Sequence, residues 1–331
     1  MRYILALLLW AGFASAQENI SYQLPPKEIL QLADYERAPS VSMDSKNQNM
    51  LLTYRSTYKT LDDLNVDEMR LAGLRINPVT NISSTVTYIT NLKVRPVRAK
   101  TETQVSGLPA QPRISNISWS PNEKKIAFTH TASTGVELWM LDVASAKATK
   151  LTGPTLNANM GSPYTWYANS EKLLVRMLLP NRPSLLDNKK DLPTGPIVST
   201  ADGKVSQNRT YQDLLKNKND EANFEALVMS ELKTVSLDGS VTHYKDAALY
   251  AGESFSPDGN YLMVTTIKKP FSYIVPLSRF PMESNVYDLQ GALVKMVNDV
   301  PLAEVMPKGF MAVRQGKRSM NWRADKPATL F

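Results

Sequence analysis

The sequence predicts an all-β fold: a β-propeller of four-stranded antiparallel blades, incomplete at about four blades plus the start of a fifth, with a short helical insertion. Three observations predict it. One gap-free pattern recurs along the chain with a large apolar residue always in third place. Each copy then passes through a turn-forming centre into an apolar run, the signature of a β-hairpin. Most copies are followed by a second hairpin, and two hairpins make the four strands of a propeller blade.

The copies begin at Val41, Ile117, Tyr164, Glu253 and Met320, with anchors Met43, Trp119, Trp166, Phe255 and Trp322. In each, the anchor ends one strand and a turn such as Ser120-Pro-Asn-Glu123 or Ser256-Pro-Asp-Gly259 reverses the chain. A run such as Ile126-Ala-Phe-Thr-His130 or Tyr261-Leu-Met-Val264 forms the next strand. The third strands are expected at Leu71–Asn77, Leu138–Asp142, Lys233–Gly239 and Asn285–Gly291. The copies are unevenly spaced, so loops are inserted between strands. Thr210-Tyr-Gln-Asp-Leu-Leu215 and Asn223-Phe-Glu-Ala-Leu227 have helical spacing, with Thr210 and Asp213 placed like a capping box, giving a helical insertion at about 210–227. Pro26 to Leu32 reads as a short helix with Pro in its first turn.

The organisation expected is a signal peptide over 1–16, an N-terminal extension with a short helix over 17–40, and a partial propeller over 41–331. Arg2, the apolar run Ile4–Trp10 and the small-residue site Ala14-Ser-Ala16 have the order of a cleaved leader, with Gln17 as the mature N-terminus. The run is too short to span a bilayer, so the product is expected to be exported, periplasmic or secreted, without stable membrane insertion.

Composition narrows the chemistry. With 331 residues and 43% hydrophobic content the chain can bury a sizeable core, and 21% charged residues is ordinary for a globular protein. The absence of cysteine excludes disulfides, thiolate metal sites and a Cys nucleophile, and two histidines leave little scope for a metal centre. No metal or cofactor is expected. A net charge of +7 without aromatic interleaving gives no case for nucleic acid.

Several stretches go beyond propeller turns: Tyr22-Gln-Leu-Pro-Pro-Lys-Glu-Ile29, Leu71-Ala-Gly-Leu-Arg-Ile76, Arg209-Thr-Tyr-Gln-Asp-Leu-Leu215, Lys269-Pro-Phe-Ser-Tyr-Ile-Val-Pro276 with Arg279-Phe-Pro281, and Arg318-Ser-Met-Asn-Trp-Arg-Ala-Asp-Lys-Pro327. In this order they resemble the prolyl oligopeptidase family of serine peptidases, specifically its glutamyl endopeptidase branch of chloroplasts and bacteria. The resemblance implies an N-terminal propeller that caps an α/β-hydrolase domain with a Ser-Asp-His triad, restricts access to peptides and, in this branch, serves cleavage after acidic residues.

The sequence departs from that plan in having no Gly-x-Ser-x-Gly elbow. Gly252-Glu-Ser254 is followed by Ser256 where the second glycine belongs, and no strand–helix alternation follows the repeats. The α/β-hydrolase domain is absent from this stretch and no catalytic residue is assigned. Peptide substrates are expected to act through the missing domain. A stand-alone periplasmic propeller that binds a protein or peptide is the alternative.

The candidates for substrate binding are Arg314, Arg318 and Arg323, within a basic segment that also holds Lys308, Lys317 and Lys326 against the single acid Asp325. An Arg fork captures a carboxylate through two parallel hydrogen bonds, as selection for Glu requires; ordinary solvated loop charge is the competing reading. A second basic run is Lys93, Arg95, Arg98 and Lys100. His130 and His243 read as strand residues, Asp258-Gly259 as turn chemistry, and Asp220, Glu221 and Glu225 as a solvated helix face.

Overall fold

The computed structural model describes residues 23–198, 203, 210–307, 309, 312–314 and 316–331. The leader, its cut before Gln17 and Lys308 lie outside the described residues. Two compact units are present. The first, ending at Arg37, carries helix α1 (Lys27–Ala33) behind Pro26. The second, from Ala38 onward, holds all the strands.

Four antiparallel sheets of four strands each follow one another along the chain. Blade 1 is β1 (Ser40–Met43), β2 (Asn49–Tyr54), β6 (Asn91–Pro96) and β7 (Thr103–Gln104). Between its second and third strands lie helix α2 (Leu61–Leu64) and a three-stranded sheet of β3 (Met69–Leu71), β4 (Leu74–Asn77) and β5 (Ile82–Ser83). Blade 2 is β8 (Ile114–Trp119), β9 (Lys125–Ala132), β10 (Gly135–Asp142) and β11 (Lys147–Lys150). Blade 3 is β12 (Tyr164–Trp166), β13 (Lys172–Met177), β14 (Ser230–Ser236) and β15 (Val241–Ala248), with helix α3 (Lys218–Val228) inserted. Blade 4 is β16 (Tyr250–Phe255), β17 (Tyr261–Ile267), β18 (Met282–Asp288) and β19 (Leu293–Val300). Past blade 4, Trp322 bridges Leu330, the hairpin expected of the fifth copy. The repeat therefore builds a propeller with about four blades and the beginning of another.

The turns show why the pattern recurs. Four residues after each of the first four anchors the backbone is left-handed, at Asn47, Glu123, Ser170 and Gly259. In blade 4, Ser256 Oγ donates to Asp258 Oδ1 at 2.5 Å and accepts from the Tyr261 amide, while Asp258 Oδ1 also accepts from the Asn260 amide at 3.1 Å. These bonds satisfy the turn's polar groups without water. Neighbouring turns touch: Ser45 donates its amide and hydroxyl to Glu123, the Asn122 amide donates to Ser170 Oγ, and the Asp258 amide donates to the Pro327 carbonyl.

Alternation along each strand sends side chains to opposite blades. Leu173, Val175 and Met177 pack on Ala127, Leu138 and Met140 of blade 2, whereas Leu174 joins Leu262 and Val264 of blade 4. Leu51, Leu92 and Val94 of blade 1 meet Ile126, Phe128 and Leu141 in the same way.

Two expectations need correction. Leu71–Asn77 is not the third strand of blade 1; β6 is, because Leu92 and Val94 supply the buried pair that faces blade 2. Ala72 and Gly73 are left-handed, so Leu71–Asn77 folds into its own tight hairpin and buries Leu71 and Ile76 elsewhere. Residues 210–215 are not helical. Asp213 is left-handed and its carboxylate holds Arg75 at 2.7 Å, so it caps nothing. The helix begins at Lys218, with Asn217 accepting from the Asp220 amide as its cap.

The insertions of blades 1, 3 and 4 all join second strands to third strands. In an antiparallel blade those loops share one end with the connections between blades, opposite the ring of turns. There they form a second core: Leu71 and Ile76 from blade 1, Phe224 and Leu227 from α3, and Phe271 and Phe280 from blade 4. Hydrogen bonds bind the three together, from the Gly73 amide to the Asp213 carbonyl and from the Leu277 amide to the Ala72 carbonyl, each at 2.8 Å.

Candidate functional site

One face of blade 4 looks toward the segment that leads to Trp322. Positions 263 and 265 on β17, 282 and 284 on β18, and 298 and 300 on β19 share that face through the register Met263↔Val286, Thr265↔Ser284, Ser284↔Asn298 and Met282↔Val300. Met306 and residues 312–314 and 318–320 line the other side of a cavity of about 510 Å³. Its wall is apolar at Met263, Phe280, Met282 and Val300, and hydroxylated at Thr265 and Ser284, whose Oγ atoms lie 2.9 Å apart.

Two of the three arginines picked out from sequence line this cavity, Arg314 and Arg318, and a third guanidinium joins them from Arg279. Arg279 ends a 3-10 turn, Leu277–Arg279, that begins at Pro276; its amide donates to the Pro276 carbonyl, and its own carbonyl accepts from the Ala303 amide. The turn is thus pinned at both sides. Arg279 Nη1 is buried and has no hydrogen-bond partner among the described residues. Among the described residues, Arg314 and Arg318 donate to the backbone carbonyls of Lys317 and Arg314 respectively, each at 3.3 Å. No acidic residue is among the described lining. Glu283 and Asp299 occupy the alternate strand positions and are tied up by Lys268, at 3.4 and 2.5 Å. The Asp299 hydrogen bond holds the Lys268 ammonium above its ordinary range.

Arg323 stands apart. It forms a bidentate pair with Asp325, at 3.0 and 2.7 Å, inside the turn of the fifth repeat, and does not line the cavity. Lys326 belongs to the same turn. The second basic run sits on β6 and the loop that joins it to β7, where Lys93 pairs with Glu102 at 3.0 Å. Sequence reasoning missed Arg279 as a site residue, although Arg279-Phe-Pro281 lies within one of the stretches that resemble the peptidase family.

The other candidates have structural partners. His130 is 8% exposed on β9, its Nδ1 accepting from the Arg113 amide at 3.2 Å, and burial lowers its pKa from the ordinary 6.5. His243, on β15, lies 3.2 Å from the exposed Asp246. Asp220 is not on a solvated face: it is buried, accepting from Asn188 Nδ2 at 2.6 Å and the Lys216 amide at 2.9 Å, and it fastens the insertion to the helix start. Glu221 accepts from Tyr273 and Lys218, and Glu225 from Lys269.

The described lining brings Arg279, Arg314 and Arg318 to one cavity whose wall is apolar at Met263, Phe280, Met282 and Val300. Among its described lining residues no nucleophile is paired with a base.

No family model matches the chain. Two curated plant proteins do, each named "Probable glutamyl endopeptidase, chloroplastic". The one from Oryza sativa subsp. japonica is 34% identical over 325 residues, covering 94% of this chain and 34% of that protein. The one from Arabidopsis thaliana is 34% identical over 323 residues, covering 94% and 33%. The chain thus spans about a third of the length of the curated relatives it matches. Among solved structures, an acylaminoacyl peptidase of Pyrococcus horikoshii aligns with a TM-score of 0.44 at 12% identity, over 80% of this chain and 32% of that one. A putative TolB of Agrobacterium tumefaciens aligns at 0.36 and 10% identity, over 80% and 81%. In sequence, then, the chain is similar to two proteins named as glutamyl endopeptidases, over about a third of their length.

Proposed function

We propose that this chain is the N-terminal, substrate-gating propeller of an exported serine peptidase that cleaves peptides after acidic residues. The observation that carries the proposal is the 34% identity sustained over 94% of the chain to two proteins named as glutamyl endopeptidases. Two further features support it. The insertion core closes over the end of the blades at which the chain enters and leaves each of them, where a catalytic domain could limit access to flexible peptides. The leader-like order of Arg2, Ile4–Trp10 and Ala14-Ser-Ala16 suits export.

Acyl transfer needs a nucleophile, an adjacent base and oxyanion donors held within mutual reach. Among the described residues these do not stand together as a set, and in this reading hydrolysis falls to the part of the relatives' length that the chain does not span. The test uses the intact gene product and paired peptides that differ only in Glu or Gln before the scissile bond. Faster cleavage after Glu is expected. Indifference to the pair refutes acidic specificity, and no cleavage of either favours a binding propeller instead.

A further inference from the structure

We infer that the blades part at the seam between blades 3 and 4, on the side of their first hairpins, and that the buried Arg176–Glu253 pair is the catch that holds this seam closed. The inference goes beyond the peptidase reading and does not depend on it.

Two kinds of hydrogen bond mark each of the other three seams. The anchors Trp119, Trp166 and Trp322 donate to Ser42 Oγ, Ser118 Oγ and the Ser254 carbonyl. The turns add Ser45 to Glu123, Asn122 to Ser170 and Asp258 to Pro327. Between blades 3 and 4 both kinds are missing among the described residues: Phe255 has no indole N–H, and the turn at Gly259 approaches Ala168 without a hydrogen bond. In their place stands a buried ion pair. Arg176 on β13 and Glu253 on β16 have side chains 5% and 8% exposed, with Nε and Oε2 3.5 Å apart. Both break the repeat. The place of Glu253 holds Val41, Ile117, Tyr164 and Met320 in the other copies, and the place of Arg176 holds Thr53, Thr129 and Thr265. The Arg176 guanidinium also donates to the carbonyls of Met160 and Ser162, ahead of β12, and of Tyr250, at the start of β16. It thus fastens the starts of both blades.

Such a catch is reversible. Burying two charges costs desolvation that their attraction offsets fully only when every polar atom is also hydrogen-bonded. Arg176 Nε and Glu253 Oε1 have no hydrogen-bond partner among the described residues. Parting returns both groups to water, so closure gains less here than at the seam of blades 2 and 3, where Ala127, Leu138 and Met140 meet Leu173, Val175 and Met177. The rest of the seam supplies a pivot. On the fourth-strand side, Tyr244 Oη donates to the Asp288 carbonyl at 2.9 Å and Lys245 Nζ to that of Gly291 at 3.3 Å. At the insertion end, Phe224 packs on Phe271 and Phe280. The first hairpins can therefore separate, uncovering Leu174, Leu262 and Val264, while the fourth strand and the insertions stay joined.

The chain has no cysteine, so nitroxide labels on introduced cysteines report distances without interference. Lys124, Glu171 and Asn260 hold the eighth place of successive copies, exposed in the turns of blades 2, 3 and 4. Pulsed electron spin resonance on the full chain labelled at 171 and 260 reads the seam in question, and labels at 124 and 171 read the seam before it. The distance between 171 and 260 is expected to spread more widely than that between 124 and 171. Glu253→Gln, which leaves Arg176 charged and unpaired, should add a longer distance between 171 and 260 and none between 124 and 171. Phe255→Trp, which gives this seam an indole N–H like the others, should narrow the spread between 171 and 260. Equal spreads at the two seams in the unsubstituted chain, or equal widening of both by Glu253→Gln, overturns the inference. A spread at 171 and 260 that neither substitution changes overturns the catch. If Glu253→Gln fails to fold, the comparison of the two seams in the unsubstituted chain decides by itself.

Discussion

Trp166 donates its indole N–H to Ser118 Oγ at 3.2 Å, joining the anchor of blade 3 to the residue just before the anchor of blade 2. The same bond recurs around the propeller. Trp119 donates to Ser42 Oγ at 2.9 Å, and Trp322 donates to the Ser254 carbonyl at 3.0 Å. In every case the acceptor precedes an anchor: Met43, Trp119 or Phe255. Phe255 has no N–H to give, and there the contact is a ring pair with Tyr167, centroids 4.5 Å apart. The third position of the repeat is therefore the seam between successive blades, and this explains why it favours Trp.

Breaking this seam should cost about as much as one hydrogen bond together with some packing. Trp166→Phe removes the N–H at a buried site and is expected to destabilise by about 1–3 kcal/mol. Trp119→Phe, whose partner Ser42 is exposed, should lose less. Urea unfolding midpoints of the two variants give the order, and a larger loss at Trp119 contradicts the seam account.

Gly259 tests the turn ring. Its φ is +73°, and a Cβ built there lies 2.6 Å from Ala168 Cβ of the neighbouring blade. Gly259→Ala therefore incurs both the left-handed penalty of about 1–2 kcal/mol and an overpacking cost of about 1–3 kcal/mol. Gly161, also left-handed but in open space, bears only the first. Equal melting temperatures for the two Ala variants would show that the turns do not touch.

Phe224 lies edge-on to Phe271 and Phe280, at centroid distances of 5.1 and 5.8 Å. Phe224→Ala should cost about 3–5 kcal/mol. Because the three insertions share this core, hydrogen exchange should quicken together in 71–77, 218–228 and 271–280, and stay slow in β9 and β10. Exchange confined to 218–228 would mean that the insertions are independent.

His130 gives a pH dependence. Its buried neutral ring accepts from the Arg113 amide, and burial lowers its pKa below 6.5. The unfolded chain then binds the proton more tightly than the folded one. Stability is full above about pH 6.5 and is lost as pH falls through that value toward the lower folded pKa. His130→Gln should flatten this part of the stability profile between pH 7.5 and 5.5, and an unchanged slope would assign it to other groups.

The repeat made the blades legible because anchor, turn and apolar run are local signals. In the first four copies the left-handed turn residue falls four residues after the anchor, where the sequence places the turn. What escaped is the product of distant contacts. Leu71–Asn77 has the composition of a strand, but its destination was set by Phe224 and Phe271, far along the chain. Thr210 and Asp213 have the spacing of a capping box, but Asp213 is recruited by Arg75. At the site, Arg314 and Arg318 were visible as a basic run. Arg279 was not, since only the folding of loop 268–281 over blade 4 brings it beside them.

The proposed role of this chain, the propeller of a serine peptidase, has one direct test. The most direct measurement is fluorophosphonate labelling followed by intact mass, on the intact gene product and on purified residues 17–331 in parallel. The account predicts one label per molecule on the intact product, at a serine beyond residue 331, with turnover of Glu peptides, and none on the 17–331 piece. Stoichiometric labelling of a serine within 17–331, lost along with turnover when that serine is replaced, would contradict it.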